Sequence, residues 1–156
     1  MLRYPLGLDP KEEMMKTSKG RCLCGAVTIT APEQYLHDVT LCHCGTCRTW
    51  GSGPLMAVEC PDGVFLEGVE HITRYRSSDW AERAFCRVCG THLFYRLLEP
   101  ETYELSAGLF PDGEKRLVSQ IYVDNKPNYY DFAQQTPMLT EQDIIDRYLP
   151  RQDDLR

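Results

Sequence analysis

The sequence predicts a mostly-β domain that ends in a helix. Three observations carry that prediction. Short runs of β-branched and aromatic residues recur along the chain, and turn signals such as Pro61-Asp62-Gly63 and Pro111-Asp112-Gly113 separate them. The best helical pattern, with its own start and stop signals, lies near the C-terminus. A length of 156 residues suits one domain, and 42% hydrophobic with 26% charged residues is ordinary for a globular chain rather than a disordered one.

Residues 1–18 are polar, with Pro5, Pro10 and the run Lys11-Glu12-Glu13, and read as a loosely held N-terminal arm. The domain is assigned to 19–150 and a C-terminal tail to 151–156. Gly20-Arg21-Cys22 opens the domain, and Ala26-Val27-Thr28-Ile29-Thr30 alternates with period two, as a strand does. Tyr35 to Leu41 is a second strand candidate. Cys42 to Pro54 is rich in cysteine and glycine and reads as a functional loop. Leu55–Glu59 and Val64–Leu66 flank the first Pro-Asp-Gly turn as a pair of strands. His71–Arg76, Ala81–Phe85, His92–Leu97, Tyr103–Ala107 and Leu117–Val123 are the remaining strand candidates. Glu141–Leu149 is the helix. Thr140 caps it with Asp143 in a capping-box pattern, Ile144, Ile145, Tyr148 and Leu149 form its apolar face, and Pro150 stops it.

Seventeen Lys+Arg against twenty-three Asp+Glu give a net charge of −6, which argues against nucleic acid as a partner. No apolar run approaches the ~18 residues of a membrane helix. The opening MLRYPLGLDPKEEMMK lacks the continuous apolar stretch of a secretory signal, so a reducing, cytoplasmic location is expected, where disulfides are rare. The sequence carries no signal for oligomeric state.

Eight cysteines in such a chain call for another explanation. Seven fall into tight groups: Cys22-x-Cys24, Cys42-x-Cys44-x-x-Cys47 and Cys86-x-x-Cys89. Disulfide frameworks scatter cysteines, whereas metal sites gather them so that thiolates converge on one ion. Cys22, Cys24, Cys86 and Cys89 make two knuckles, each followed by glycine, Gly25 and Gly90, which permits the positive φ that turns N–H groups toward the sulfurs. Two such knuckles complete the four-thiolate tetrahedron of a structural zinc.

The group Cys42, Cys44 and Cys47 offers three thiolates, the number a catalytic zinc keeps when one position stays open. Cys60 or His43 is the possible fourth ligand that would close it. His43 lies between two ligands and is expected to point away, and a lone cysteine such as Cys60 is more often a small buried apolar residue. The run characteristic of iron–sulfur clusters is absent. Cys44-Gly45-Thr46-Cys47 also resembles a redox motif, but that motif needs a following helix, and Arg48-Thr49-Trp50-Gly51-Ser52-Gly53-Pro54 is poor helix material.

Three segments in order, Gly20-Arg21-Cys22-Leu23-Cys24-Gly25-Ala26-Val27, Cys42-His43-Cys44-Gly45-Thr46-Cys47-Arg48 and Phe85-Cys86-Arg87-Val88-Cys89-Gly90-Thr91-His92-Leu93, resemble the glutathione-dependent formaldehyde-activating enzyme family. Ile121 to Tyr130 resembles the family's C-terminal stretch. The likeness extends from about Gly20 to Phe132. It implies a β-tent fold of short antiparallel strands stabilised by zinc. It also implies two zinc ions per chain: a structural one on Cys22, Cys24, Cys86 and Cys89, and a catalytic one on Cys42, Cys44 and Cys47. The family often has tryptophan where Tyr129 stands and histidine near Gln120.

The implied activity is that of a carbon–sulfur lyase, forming or cleaving an S-hydroxyalkyl adduct between a thiol, glutathione, and an aldehyde, formaldehyde. Three thiolates around a divalent ion leave a weak Lewis acid, which favours orienting a thiol over activating water. Arg48 and Trp50 are candidate substrate-binding residues, the first for a carboxylate and the second as a pocket wall. Their competing roles are a solvated surface charge and core packing. His92 and Tyr129 are assigned packing or surface roles. The rival function is a zinc-binding module without catalysis, a thiol carrier or protein-interaction domain, and it calls for a second site closed by four protein ligands.

Overall fold

A computed structural model describes residues 16–148, so the arm apart from its last residues, the C-terminal tail and Leu149 of the helix's apolar face lie outside the described residues. β1 (Thr17–Arg21) and β2 (Thr28–Pro32) pair antiparallel, and β5 (Phe65–Glu67) adds to β2 to complete a three-stranded sheet. β1 thus takes in Thr17 and Ser18, which the sequence assigned to the arm.

The larger sheet has eight strands. They are β3 (Asp38–Cys42), β4 (Leu55–Cys60), β6 (Ile72–Arg76), β7 (Ala81–Cys86), β8 (His92–Leu98), β9 (Glu101–Ser106), β10 (Arg116–Ile121) and β11 (Met138–Leu139), in the order β11-β10-β3-β4-β9-β8-β7-β6. Not all neighbours are antiparallel as the sequence led one to expect: β10 runs parallel to both β3 and β11. Nothing local encodes that pairing. It is set by long-range contacts such as the ion pair of Arg116 Nε with Asp38 Oδ1 at 2.7 Å, at one end of the β3–β10 ladder.

The Pro61-Asp62-Gly63 turn is present, but it does not close a hairpin. β4 belongs to the large sheet and β5 to the small one, so the chain changes sheets there. The Tyr35 hydroxyl donates to Asp62 Oδ1 at 3.2 Å, and a Cβ at Gly63 would lie 2.6 Å from Pro32 Cγ, so the turn is pressed against the end of β2.

Between the sheets lies the core. Ile29 and Ala31 from β2 join Val58 and Cys60 from β4, Ala84 from β7, Leu93 and Phe94 from β8, Leu105 from β9, and Leu109 and Phe110. Close approach is enforced at Gly20, where a Cβ would meet the Leu109 carbonyl oxygen at 2.9 Å and the Phe110 ring at 3.0 Å.

The C-terminal helix, Glu141–Tyr148, forms where the sequence placed it. Thr140 and Asp143 make the expected capping box: Asp143 N–H donates to Thr140 Oγ1 at 3.2 Å, and Thr140 N–H to Asp143 Oδ2 at 2.8 Å. Its apolar face is only half covered, with Tyr148 exposed.

Candidate metal centres

The first centre lies where β1 ends and where β7 turns into β8. Sulfurs of Cys22, Cys24, Cys86 and Cys89 all lie within 4.8 Å of one another. Two of the separations are 3.5 Å (Cys22–Cys24) and 3.7 Å (Cys24–Cys86). Zinc–sulfur bonds of about 2.3 Å in a tetrahedron require sulfurs roughly 3.8 Å apart, so the set fits one zinc ion and no disulfide.

The two knuckles are built alike. Gly25 and Gly90 both have φ of 78°, and their N–H groups donate to the carbonyls of Cys22 (3.0 Å) and Cys86 (2.7 Å). Val27 N–H then reaches Cys22 Sγ at 3.3 Å, and the Thr91 hydroxyl lies 3.2 Å from Cys89 Sγ. The Thr91 hydroxyl, and next its N–H, hold Cys89 down to about 5, as a metal ligand requires. The same hydroxyl accepts from Leu23 N–H at 3.2 Å and so ties one knuckle to the other.

A second centre gathers Cys42, Cys44 and Cys47, again within 4.8 Å. Cys42 ends β3, and the parallel ladder runs on into the ligand loop, since His43 N–H donates to Ile121 C=O at 3.0 Å. The sequence-based loop is corrected at this point: Gly45–Gly51 is an α-helix. Cys44 caps it, its sulfur accepting from Cys47 N–H at 3.4 Å, and Ser52 closes it in the left-handed conformation. Weak helix propensity is overridden by this cap and by the packing of Trp50. A helix does follow Cys44, so the local structure does not speak against a redox pair; the third sulfur, Cys42, does.

Without a metal, these sulfurs cannot all ionise. Thiols of Cys42 and Cys47 donate to Cys44 and hold it well below the usual thiol range, while Cys42 is pushed far up by its neighbours and then by burial. A divalent cation relieves that crowding, so the donor set fits zinc.

Neither proposed fourth ligand joins the cluster. Cys60 is wholly buried in the core, where burial raises its thiol to about 12. His43 points away, as expected, with Nδ1 2.8 Å from the Tyr130 hydroxyl and Nε2 3.0 Å from Gln120 Oε1. Among the described residues the cluster gathers three sulfurs that could hold an ion, and no fourth His, Cys, Asp or Glu joins them.

Beside Cys47 opens a cleft of ≈ 190 Å³, lined by Trp50, Arg83, His92 and Ser106 together with Leu55 and Met56. Trp50 serves as wall and as packing at once, stacked on Tyr75 at 6.2 Å and edge-on to His92 at 5.5 Å. Arg48 does not line the cleft; its Nε donates to the His43 carbonyl at 3.0 Å and clamps the ligand loop.

Arg83 is the residue that sequence reasoning missed. It is 3% exposed, lies 5.1 Å over the Tyr95 ring and donates through Nη2 to Cys47 Sγ at 3.4 Å. The available signal was an arginine two residues from Ala81, on the same face of a strand that ends three positions later at Cys86. His92, assigned to packing, also faces the cleft. Its Nδ1 lies 3.2 Å from Ser106 Oγ, and burial, then the Arg83 charge, push it down to about 4, so it is neutral.

Comparison with known proteins agrees with this layout. An uncharacterized lyase of Schizosaccharomyces pombe is 36% identical over 133 residues, covering 84% of this chain and 96% of that protein. The crystal structure of a Rhodobacter sphaeroides protein superimposes with a TM-score of 0.54 at 27% identity, over 62% of this chain and 91% of that one. The segment around Tyr129 and Tyr130 lies beyond the family match, but both sulfur centres and the cleft lie within it. The model of the glutathione-dependent formaldehyde-activating enzyme matches residues 17–125, and the chain belongs to that family.

Proposed function

We propose that the protein is a zinc-dependent carbon–sulfur lyase that joins the thiol of glutathione to formaldehyde as an S-hydroxymethyl adduct, or releases the two from it. The observation that carries this reading is the three-sulfur cluster, with no fourth protein ligand among the described residues, beside a cleft lined by a buried cation, Arg83. Cys42, Cys44 and Cys47 would hold the reactive zinc, and Cys22, Cys24, Cys86 and Cys89 a structural one in a β-tent. When bound, the reactive zinc supplies the charge that keeps an incoming thiol deprotonated at neutral pH.

The remaining work falls to the chain. Arg83 hydrogen-bonds the Cys47 sulfur and offsets negative charge on the cluster. His43, fixed between Gln120 and Tyr130, and Arg48, bonded to the His43 carbonyl, hold the loop that carries the ligands. Trp50 walls the cleft. The acidic composition makes nucleic acid an unsuitable partner, and no helix among the described residues is long and apolar enough to cross a membrane. A cytoplasmic location accords with the reduced cysteines this chemistry needs.

Thiols add to formaldehyde unaided, so the test compares rates. Exchange between glutathione, formaldehyde and S-hydroxymethylglutathione, followed by NMR, should be faster with the protein than with an equal concentration of free zinc. Cys44→Ser should return it to the background. A rate equal to that of free zinc, with no saturable binding of glutathione, would overturn the assignment.

A further inference from the structure

Two side chains in the cleft are left incomplete. Among the described residues, Arg83 Nε and Nη1 and His92 Nε2 are buried without a hydrogen-bond partner, although both residues are otherwise held, Arg83 by Cys47 and Tyr95, and His92 by Ser106 and Trp50. Buried polar atoms without partners cost free energy, and three of them on two side chains that line one cleft point to a polar ligand there. We infer that Arg83 and His92 form an oxygen-binding subsite beside Cys47, and that it takes the carbonyl oxygen of a small uncharged aldehyde. This rests on the proposed lyase reading.

Charge selects the neutral ligand. Three thiolates and a divalent ion leave one negative charge, and Arg83 neutralises it through its contact with Cys47. The guanidinium charge is therefore already matched, and what it still offers is N–H donors. A carbonyl oxygen accepts from them without adding charge to a buried site, whereas a carboxylate would add to the charge that an incoming thiolate already brings.

Size selects the small one. The cleft's ≈ 190 Å³ is below the roughly 300–1,000 Å³ of sites that enclose drug-sized molecules. It admits an aldehyde and the sulfur end of a thiol, while the bulk of a tripeptide stays outside. Trp50, Leu55 and Met56 set the limit on the aldehyde's substituent.

Within this subsite the thiol sulfur bonds to the carbonyl carbon, and the π pair moves onto the oxygen facing Arg83 and His92. That oxygen takes back the proton the thiol gave up, so thiol plus aldehyde equals the S-hydroxyalkyl product with no other reactant. Donors aimed at the oxygen where charge develops are worth most in a dry site.

Formamide is an unreactive probe of the same shape and polarity. Titrated into the zinc-loaded full-length protein, it should produce saturable shifts of the Arg83 Nε–H and His92 ring-nitrogen NMR signals, and the bulkier pivalamide should not. No shift at either side chain, or a response to formate but not to formamide, would overturn the subsite. Arg83→Gln, with its zinc content checked, should lower kcat/KM for formaldehyde by about 10²–10³-fold, the usual loss for one such donor, and by clearly more than it weakens glutathione binding, which loses only the charge beside Cys47. An unchanged aldehyde dependence would overturn the proposal, as would a loss of thiol binding alone. If the parent protein does not process glutathione with formaldehyde, the lyase reading fails, and the formamide titration still decides the subsite on its own.

Discussion

Cys86→Ser and Cys44→Ser remove one ligand each from two superficially similar centres, yet they should have opposite structural consequences. Cys86 ends β7, is wholly buried, and shares its centre with Cys22 at the far end of β1, so that centre ties the small sheet to the large one. Metal binding to structural four-ligand sites contributes about 10–16 kcal/mol in zinc-finger peptides, against a whole-domain stability of about 5–15 kcal/mol. If half of that is lost with one thiolate, the deficit is roughly 5–8 kcal/mol, enough to unfold the domain at ordinary temperature. Cys44, by contrast, caps a seven-residue helix whose cluster spans only residues 42–47. Serine puts a hydroxyl in place of the capping sulfur for Cys47 N–H, so the structural loss should be about 1 kcal/mol, or ~2–4 °C in Tm. Cys44 is a better comparison than Cys47, whose removal would also strip Arg83 of its sulfur partner. Calorimetry with parallel zinc analysis reads both effects. Cys86→Ser should be largely unfolded or aggregated, and Cys44→Ser folded with one zinc instead of two. Equal melting temperatures would refute the division into a structural and a reactive site.

Two further substitutions test the scaffold. Gly68 has φ of 76°, and a Cβ there would lie 2.0 Å from the Ala26 carbonyl oxygen, so Gly68→Ala should cost about 3 kcal/mol or more in denaturant unfolding, from overpacking and left-handed strain together. Glu82 is half-buried; burial opposes its ionisation, but hydrogen bonds from Arg96 and Arg74 win and hold its carboxyl below the ordinary glutamate value of about 4.5. A depressed carboxylate pKa contributes stability above the unfolded-state value and loses it as pH falls through the folded value. The Tm difference between parent and Glu82→Gln should therefore be full at neutral pH and shrink below about pH 4.5; a difference independent of pH would contradict the pairing.

What could be read beforehand follows from how local each signal is. The knuckle glycines and the capping box at Thr140 are written within a few residues and appear where the sequence placed them, and the alternation of Ala26–Thr30 marks a strand that runs two residues later, Thr28–Pro32. Sheet order is a long-range property. The parallel pairing of β10 with β3 and the passage of the chain from β4 to β5 across sheets have no signature in either partner alone. Gly45–Gly51 was hidden for a different reason: its residues are weak helix formers, and its start is fixed by a sulfur cap that composition does not reveal. Arg83 was hidden because a charged residue in a strand is ordinarily placed on the solvent face, and only the fold shows it turned toward Cys47.

The two centres share β7. Cys86 ends that strand, and Arg83 stands three positions earlier, about 10 Å away at ~3.3 Å per residue. β7 is held between β6 and β8 along most of its length, and its last residue is fixed by the four-sulfur centre and by Cys86 N–H donating to Thr91 C=O at 2.9 Å. His92 opens β8 just beyond that same knuckle. Both groups that face the cleft thus hang from the segment that the first centre anchors. A buried guanidinium that meets a sulfur at 3.4 Å tolerates little drift before the contact is lost. A zinc ion on those four sulfurs would therefore do more than hold the sheets together: it would help fix where the Arg83 donors sit relative to Cys47. Loosening it without unfolding the domain should move Arg83 away from the reactive cluster before either sheet comes apart.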